Sequence, residues 1–450
     1  MNIPLNALLG IVLASIPVAI AQDTRSVSEP HIPPPCAVAQ AMLTGPIAAA
    51  DESKLDTDRL QHAIDGCTPG KSVVLQSDGT HNAFLSGPLR LRTAVTLVVA
   101  QGVTLYASRD PRLYDIRPGS CGIVTESGRG CKPLIGGDRI SYAAVMGEGT
   151  IDGRGAEHLL GQRVSWWDLA QQAKVSNKNQ NCPRLIVITH SQDFSLYKIK
   201  LQNSPNFHVV FSGNGFTAWG VIIDTAKTAR NTDGIDPSSA TNVTITQCFI
   251  HTGDDNVAIK AGSAGGSSHM TIAHNHFYSG HGMSIGSETD GGASAIRVSD
   301  LSIDGADNGL RIKSNVSRGG LVKGIVYEDV CIRNTKNPIY MDSNYSFFGA
   351  ARNKPPLFRD IEFHNVRIEG AGKITLDGLD ESHRLDMVFD NVIVDDPREI
   401  KLAAHHANVR IGPGSFNLPL TGDDVTVSDM SGKASPQPNC AEKFIPMPSR

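Results

Sequence analysis

The sequence of 450 residues predicts an all-β fold, a parallel β-solenoid with one short helix covering its N-terminal end. Short runs rich in Val, Ile, Leu and Thr alternate with Gly, Asn and Asp from about residue 72 onward. This is the pattern of strands joined by turns. In the middle of the chain the runs recur with a nearly regular period, which is typical of stacked repeats. Ahead of them, one convincing stretch has the apolar spacing of a helix.

The helix is predicted near residues 57–66. Its apolar positions fall at i, i+3, i+4 and i+7, the spacing of one helix face, and they are Leu60, Ala63, Ile64 and Cys67. Asp56 stands where a helix begins, and Gly66 lies near the predicted end. An amphipathic helix ahead of a long β region suits a cap over the open end of a stack of strands.

The repeat is clearest in five apolar tetrads, each preceded by a polar motif. The tetrads begin at Ile235, Val257, Met283, Leu310 and Ile339. Their starts are separated by 22 to 29 residues. Units of this length, with two or three short strands each, bury their apolar faces only by stacking on one another. Equivalent positions on adjacent turns then lie about 4.8 Å apart.

Stacking gathers polar side chains that are far apart in the sequence. The residues two positions before three successive tetrads are Asp233, Asp255 and His281. Asp254 is adjacent to Asp255, at the turn that leads into the strand. Arg311 and Lys313 are the second and fourth residues of their tetrad, so both point to the same side. We therefore expect one column along one face, with carboxylates first, then an imidazole, then two cations.

The chemistry that suits this column is glycoside hydrolysis. One carboxylic acid protonates the departing oxygen, and another carboxylate activates water or attacks directly. Crowding of three carboxylates raises the pKa of at least one of them, because like charges disfavour ionisation. Arg311 and Lys313 are suited to holding a sugar carboxylate, Arg311 in bidentate fashion.

The same residues form four ordered motifs that resemble the polygalacturonase family of glycoside hydrolases, family 28. The motifs are Asn231-Thr232-Asp233-Gly234, Gly253-Asp254-Asp255, Gly280-His281-Gly282 and Arg311-Ile312-Lys313. The resemblance is strong between Leu185 and Tyr345, and the segment from Asp233 to Asp255 is most similar to bacterial endo-polygalacturonases. It implies a right-handed parallel β-helix that hydrolyses α-1,4-galacturonosyl bonds of polygalacturonate, with inversion and without a metal or other cofactor.

The resemblance also implies roles for individual residues. Asp254 corresponds to the general acid, Asp233 and Asp255 to the carboxylates that position and activate water, and His281 to a residue that supports catalysis. A separation of about 4.8 Å between carboxylates is by itself the spacing of a retaining enzyme. We follow the resemblance and expect inversion, because side chains on neighbouring turns can splay and leave room for water.

Substrate binding is assigned by the resemblance to Arg311, Lys313 and a tyrosine that follows them. Tyr345 is the better match, and Tyr340, which shares the register of Arg311, is its competitor. Alternative functions are an exo-acting polygalacturonase, a rhamnogalacturonan hydrolase, a calcium-dependent pectate lyase on the same coil, and a non-catalytic solenoid that binds polysaccharide. His281 and the two cations favour galacturonate at the cleaved bond.

Several other motifs have a plainer interpretation. Thr421-Gly422-Asp423-Asp424 has the same four residues as 252–255. It has no Asn-Thr-Asp motif one turn before it and no Gly-His-Gly motif after it, so we interpret it as an ordinary turn. His274-Asn275-His276 has no third ligand nearby in the sequence and is interpreted as hydrogen-bonding between turns. For His208, a distal subsite and a structural role both remain open. Trp166-Trp167 is suited equally to stacking on sugar and to packing under a loop.

The N-terminus has the pattern of a secretory signal peptide over residues 1–21. Leu8 to Ile20 is a nearly unbroken apolar run that ends in a small-residue cleavage pattern. A membrane anchor is disfavoured because the run is shorter than the ~20 residues of a spanning helix. We expect a secreted monomer with one β-helix domain over 22–450, catalytic turns within 231–345, and no membrane contact after cleavage. The net charge of −4 gives no global basic field for nucleic acid.

Eight cysteines in a secreted chain predict disulfides. Cys121 and Cys131 flank a tight Gly-rich loop and form the best candidate pair. Cys36 with Cys67 comes next, because this bond ties the extended N-terminal segment to the helix. The other four cysteines cannot be paired from the sequence. Among them, Cys248 and Cys331 lie in strand-like runs and are expected to be buried as small apolar residues.

Overall fold

The structure is a computed structural model that describes residues 22–345, 353–434 and 439–449. The predicted signal peptide, residues 1–21, lies outside the described residues. Twenty-seven strands form one continuous sheet in which the named strand pairs run parallel, and two further strands pair separately. The predicted all-β fold, a parallel β-helix, is confirmed.

The N-terminal part contains both α-helices. Its elements are β1 (Pro35–Gln40), α1 (Thr57–Asp65), β2 (Lys71–Gln76), β3 (Ala83–Ser86), β4 (Leu89–Arg90), β5 (Val95–Val99), β6 (Thr104–Ala107), β7 (Ile123–Thr125), β8 (Ile135–Asp138), β9 (Ala144–Met146), β10 (Thr150–Asp152), α2 (Trp166–Val175) and β11 (Asn179–Asn181). Neither α-helix is long and apolar enough to span a membrane in the part of the chain that the structure describes.

Long strands dominate the rest of the chain. The central elements are β12 (Ile186–Tyr197), β13 (Lys200–Gln202), β14 (Val209–Trp219), β15 (Ile222–Asp224), β16 (Ile235–Thr246), β17 (Phe249–Thr252), β18 (Val257–Ile259), β19 (Ser267–Ser279), β20 (Met283–Gly286), β21 (Ala293–Asp304), β22 (Asn308–Lys313), β23 (Leu321–Arg333) and β24 (Asn337–Asp342). The C-terminal strands are β25 (Leu357–Glu369), β26 (Gly372–Asp377), β27 (Leu385–Val394), β28 (Ile400–Ile411) and β29 (Asp423–Asp429).

The register of the central turns follows the apolar tetrads. Ile235 pairs with Val257, Val257 with Met283, and Met283 with Leu310. Leu310 pairs in turn with Ile339. All five side chains are fully buried, so each tetrad adds one layer to a continuous core. A slip of one residue would turn these side chains outward, which is why the apolar pattern specifies the register.

Helix α1 forms where it was predicted, over Thr57–Asp65, and packs against β1 and β4 at the N-terminal end. Leu60 and Ile64 are buried on its inner face. The prediction missed α2. Ser165 and Asp168 form a reciprocal capping box at its start, a signal that the sequence already contains. The helix buries Trp166, so at least this ring of the tryptophan pair packs inside the protein.

Three disulfides are present among the described residues. Cys36–Cys67 and Cys121–Cys131 confirm the two predicted pairs. The third bond, Cys331–Cys440, joins two of the four cysteines whose pairing the sequence left open. Cys331 is buried in β23, but the C-terminal tail returns along the outside of the coil and brings Cys440 to it. Cys248 is a buried free thiol, as expected.

Candidate active site

The predicted column exists on one face of the coil. The backbone amide of Gly234 donates to the Asp255 carbonyl at 2.9 Å, and the amide of His281 donates to the Asp254 carbonyl at 2.9 Å. In the next layers Ser284 pairs with Arg311 in register. These backbone ladders hold the polar residues of four adjacent turns side by side, so the co-location expected from the tetrads is confirmed.

Asp255 is the most firmly held of the three carboxylates. Its side chain is 3% exposed. Ser284 Oγ donates to its Oδ1 at 2.6 Å, Arg311 donates to the same oxygen at 3.2 Å, and Lys313 Nζ donates to Oδ2 at 2.8 Å. Burial acts to raise the pKa of Asp255, but the charges of Lys313 and Arg311 outweigh it and lower the pKa. Asp255 is therefore an ionised carboxylate with both oxygens occupied.

Asp254 is the most accessible of the three, with 18% of its side chain exposed. His281 Nδ1 donates to its Oδ1 at 2.9 Å, and Asn231 donates to its Oδ2 at 3.4 Å. Burial acts to raise the pKa of Asp254, but the hydrogen bond and charge of His281, followed by the charge of Lys313, hold it well below its usual range. Burial conversely acts to lower the pKa of His281, and the Asp254 carboxylate raises it overall.

Asp233 is in a different electrostatic environment. Its side chain is 4% exposed, and Lys260 Nζ donates to its Oδ2 at 3.3 Å. Its Oδ1 is buried and makes no hydrogen bond to any residue that the structure describes. Burial, followed by the negative charge of Asp254, raises the pKa of Asp233 well above its usual value. The expectation that one carboxylate of the cluster has a raised pKa therefore holds for Asp233.

Two charged residues of the site were missed in the sequence. Lys260 contacts both Asp233 and Asp236, the second at 3.0 Å. Lys260 is the fourth residue of its tetrad, the position that Lys313 occupies two turns later. Asp236 is the second residue of its tetrad, the position of Arg311. The register argument used for the two predicted cations would have found both.

His208 supports Asp233 from below and does not line a subsite. It is fully buried, and its Nδ1 donates to the Asp233 carbonyl at 3.0 Å. Its Nε2 lies 2.7 Å from the hydroxyl of Thr225, which can donate to it. Burial lowers the pKa of His208 to about 4, so the ring is neutral. The structural role left open for this histidine is the one that the contacts support.

Glycine is required where the turns carry the site. Gly282 has φ of +74°, and a Cβ atom there would lie 2.1 Å from the Gly309 carbonyl oxygen. Gly280 has φ of +73°, and a Cβ atom there would lie 2.5 Å from the Asp254 carbonyl oxygen. Side chains at either position would push the turns apart, so the two glycines keep His281 against Asp254.

Both candidate tyrosines lie against Arg311. The guanidinium carbon is 5.4 Å from the ring centre of Tyr345 and 5.5 Å from that of Tyr340. Tyr345 also lies 5.6 Å from Lys313 Nζ. The hydroxyl of Tyr340 donates to Asp342. Tyr345 therefore borders both predicted substrate cations, whereas the polar end of Tyr340 is engaged within the protein.

Asp254, Asp255 and His281 also present ligand atoms within 4.8 Å of one another, a grouping that could in principle hold a metal ion. The chemistry of this set does not suit one. Lys313 and Arg311 already neutralise Asp255, and His281 donates to Asp254. Calcium takes six to eight oxygen ligands. A cation here would have to displace two fixed positive charges.

The other motifs lie outside the column. Asp423 and Asp424 open β29, and Asp424 forms ion pairs with Arg384 and His406. The two-histidine motif forms hydrogen bonds to the next turn, at 2.6 Å from His274 and 2.7 Å from His276. These two hydrogen bonds confirm the prediction that the histidines link adjacent turns.

A parallel β-helix with carboxylates beside fixed cations on one face is the arrangement expected of a carbohydrate-cleaving hydrolase, and comparison with known proteins agrees. The description "Glycosyl hydrolases family 28" belongs to the family whose profile matches residues 78–410. An endo-polygalacturonase from Pectobacterium carotovorum subsp. carotovorum is 44% identical over 387 residues, covering 86% of this chain and 92% of that protein.

Two further relatives extend the similarity. A polygalacturonase from Ralstonia nicotianae (strain ATCC BAA-1114 / GMI1000) is 37% identical over 502 residues, covering 96% of this chain and 94% of that protein. The solved polygalacturonase from Erwinia carotovora ssp. carotovora is 40% identical with a TM-score of 0.75, covering 90% of this chain and all of that one. The chain therefore belongs to glycosyl hydrolase family 28 and is a glycoside hydrolase.

Proposed function

We propose that the protein hydrolyses α-1,4-galacturonosyl bonds inside polygalacturonate chains, with inversion. The observation that carries the proposal is the column of three carboxylates adjoining Arg311 and Lys313. A neutral sugar would give these buried cations no partner beyond Asp255, whereas a uronate carboxylate complements them. The names of the similar bacterial proteins, among them an endo-polygalacturonase, support the same substrate and mode.

Asp254 acts as the general acid in this proposal. The acid must reach the glycosidic oxygen, and Asp254 is the only one of the three carboxylates with appreciable exposure. In the empty site the charges of His281 and Lys313 keep its pKa low. A galacturonate carboxylate bound at Lys313 offsets that lysine's charge, which raises the pKa of Asp254 when the substrate is in place.

Asp233 and Asp255 activate the attacking water. The unpartnered Oδ1 of Asp233 is the acceptor left for a water molecule or a sugar hydroxyl. Asp255 is ill suited to direct attack on the sugar, because donors from three side chains already occupy both of its oxygens. The short spacing of Asp254 and Asp255, within 4.8 Å, therefore does not imply a covalent intermediate. This contact pattern supports inversion over the retention that spacing alone would favour.

The sharpest test follows both the products and the polymer. Polygalacturonate viscosity should fall well ahead of reducing-end release, and proton NMR should show the inverted anomer first. Galacturonate monomer as the sole early product would replace the endo mode with an exo one. A retained anomer would overturn the assigned roles of Asp233 and Asp255.

We further propose that residues 1–21 direct secretion and are removed, leaving 22–450 as one monomeric catalytic domain, with Tyr345 contacting the substrate beside Arg311. The three disulfides support secretion, because such bonds persist in oxidising compartments. The extracellular protein should begin at Gln22 and elute at the size of one chain. An intact N-terminus on cell-retained protein would contradict the secretion proposal.

A further inference from the structure

The column of the active site continues for two turns beyond Asp233, toward the N-terminus. Ile186 pairs with Val209, and Val209 pairs with Ile235. Arg184 and Phe207 each stand two residues before these strands, the position that Asp233 occupies before β16. At about 4.8 Å per turn, the backbone of Arg184 lies roughly 10 Å from that of Asp233 along the column.

A cavity of about 440 Å³ lies at this end of the column. One wall is the loop that carries Arg129, which the Cys121–Cys131 disulfide closes. The pairing of β7 with β11 holds the base of the same loop. Arg184 and Phe207 line the cavity from the coil itself. The cavity therefore lies between a disulfide-closed loop and the face of the coil.

The positive charges of this cavity are not neutralised from within. Asp236 and Glu288 also line it, but each already has a cation, Lys260 at 3.0 Å and Arg318 at 2.7 Å. Arg129 and Arg184 are exposed residues, and neither forms an ion pair with a carboxylate within residues 22–345, 353–434 or 439–449. Two free arginines in one concave site leave a positive field that attracts an anion.

Phe207 holds part of this charge in position. The guanidinium carbon of Arg184 lies 4.8 Å from the ring centre, within the range of a cation–π contact. Partial burial of its guanidinium lowers the pKa of Arg184. The charges of Asp236 and Asp233 oppose this effect, and the charge of Arg129 adds to it. The side chain is thus oriented by an aromatic ring but lacks an anionic partner of its own.

We propose that Arg184 and Arg129 form a distal subsite for the carboxylate of a uronate residue, on the opposite side of the carboxylate cluster from Arg311 and Lys313. Five turns, or roughly 24 Å, separate Arg184 from Arg311 along the column. A polyanionic chain can span both ends, and a short oligomer cannot. The subsite rests on the proposed function and deepens it, because it explains how a long chain is gripped across the cleaved bond.

The test compares substrates of different length on Arg184→Gln. Loss of one charge-assisted hydrogen bond should lower kcat/KM on polygalacturonate roughly 10- to 100-fold through KM, with kcat at saturation nearly unchanged. Hydrolysis of trigalacturonate should change less than about twofold, since a trimer bound at the cleaved bond does not reach the subsite. Arg184→Lys should recover part of the loss, and Arg129→Gln should show the same dependence on length.

Arg398→Gln is the matched control. It removes the same charge from a side chain that is 88% exposed and lies in the short turn before β28, and it should leave the hydrolysis of both substrates unaffected. An equal loss on polymer and trimer for Arg184→Gln, or no loss on either, would overturn the subsite. Melting temperatures close to the parent protein would show that the variants are folded.

A binding measurement separates this inference from the proposed function. Calorimetric titration of the Asp254→Asn protein with polygalacturonate should show tight binding that a second change, Arg184→Gln, weakens at least tenfold. If the parent enzyme failed to hydrolyse polygalacturonate while this binding difference persisted, the proposed function would fall and the anionic subsite would stand. Binding that is unchanged by Arg184→Gln would overturn the subsite, whatever the turnover.

Discussion

Replacing Lys313 by Met tests whether neighbouring cations stabilise the ionised carboxylate of Asp255. The substitution keeps most of the side chain's volume and removes the 2.8 Å contact to Asp255 Oδ2. A hydrogen bond to a charged group contributes about 1.5–3 kcal/mol, and loss of one partner from a buried ion pair costs about 3–5 kcal/mol. Asp255 keeps Arg311 and Ser284, so we expect a loss near 2–3 kcal/mol of unfolding free energy at pH 7.

The pH dependence follows from the lowered pKa of Asp255. A carboxyl whose folded pKa is depressed contributes stability above its unfolded pKa, about 3.9, and loses it as the pH falls through the folded value. The difference between parent and Lys313→Met should therefore be full at pH 7 and shrink below about pH 4. In the Asp255→Asn protein the ion pair is already lost. Adding Lys313→Met to that protein should therefore produce no pH-dependent difference in stability, and this comparison is the control.

The assay is urea unfolding followed by tryptophan fluorescence, with Arg398→Met as the reference for an exposed pair. Arg398 also contacts an aspartate, Asp396, at 2.7 Å, but is 88% exposed, so its loss should leave the free energy of unfolding nearly unchanged. A Lys313→Met protein as stable as Arg398→Met at pH 7 would refute the reasoning. So would a difference that stays constant down to pH 3.

Three further predictions concern the remaining charges. Asp254→Asn should lower kcat about 10²- to 10⁴-fold by reducing-sugar assay while the protein stays folded, and persisting turnover would show that Asp254 is not the acid. Asp233→Asn should melt above the parent protein at pH 7. A carboxyl with a raised folded pKa costs the protein stability as the pH rises from about 3.9 to that pKa, and the substitution removes this cost. The gain in melting temperature should vanish near pH 3, and a lower melting temperature at pH 7 would contradict the prediction. His281→Gln should move the ionisation of Asp254, followed by carbon NMR of the carboxyl, to higher pH, and an unmoved titration would deny the coupling.

The part of the fold that could be predicted from the sequence is the part built from the repeating apolar tetrads. Buried tetrads that recur at one register determine both the coil and the side on which Asp233 and Arg311 emerge, since equivalent positions must stack. Helix α2 was missed because its apolar positions sit in a long loop between strands, and only the Ser165 capping box marks its start. The Cys331–Cys440 bond could not be predicted, because it depends on how the tail runs back along the coil.

The residues that form the site could be predicted from the sequence, but their pKa shifts could not. The sequence places the three carboxylates together, but only contacts show that Lys313 serves Asp255 and that Lys260 serves Asp233. Neighbouring aspartates nevertheless have opposite pKa shifts. Burial and the charge of Asp254 raise the pKa of Asp233 despite Lys260, whereas the charges of Lys313 and Arg311 outweigh burial and lower the pKa of Asp255. The direction of each shift depends on burial and on distances of a few ångströms, which a periodic pattern does not specify.

Product analysis on polygalacturonate, with and without a chelator, tests the central claim most directly. A site in which Arg311 and Lys313 neutralise Asp255 should release saturated oligogalacturonates at the same rate in both conditions. Loss of activity in chelator together with unsaturated products, which are detected by their ultraviolet absorbance, would contradict hydrolysis by protein charges alone.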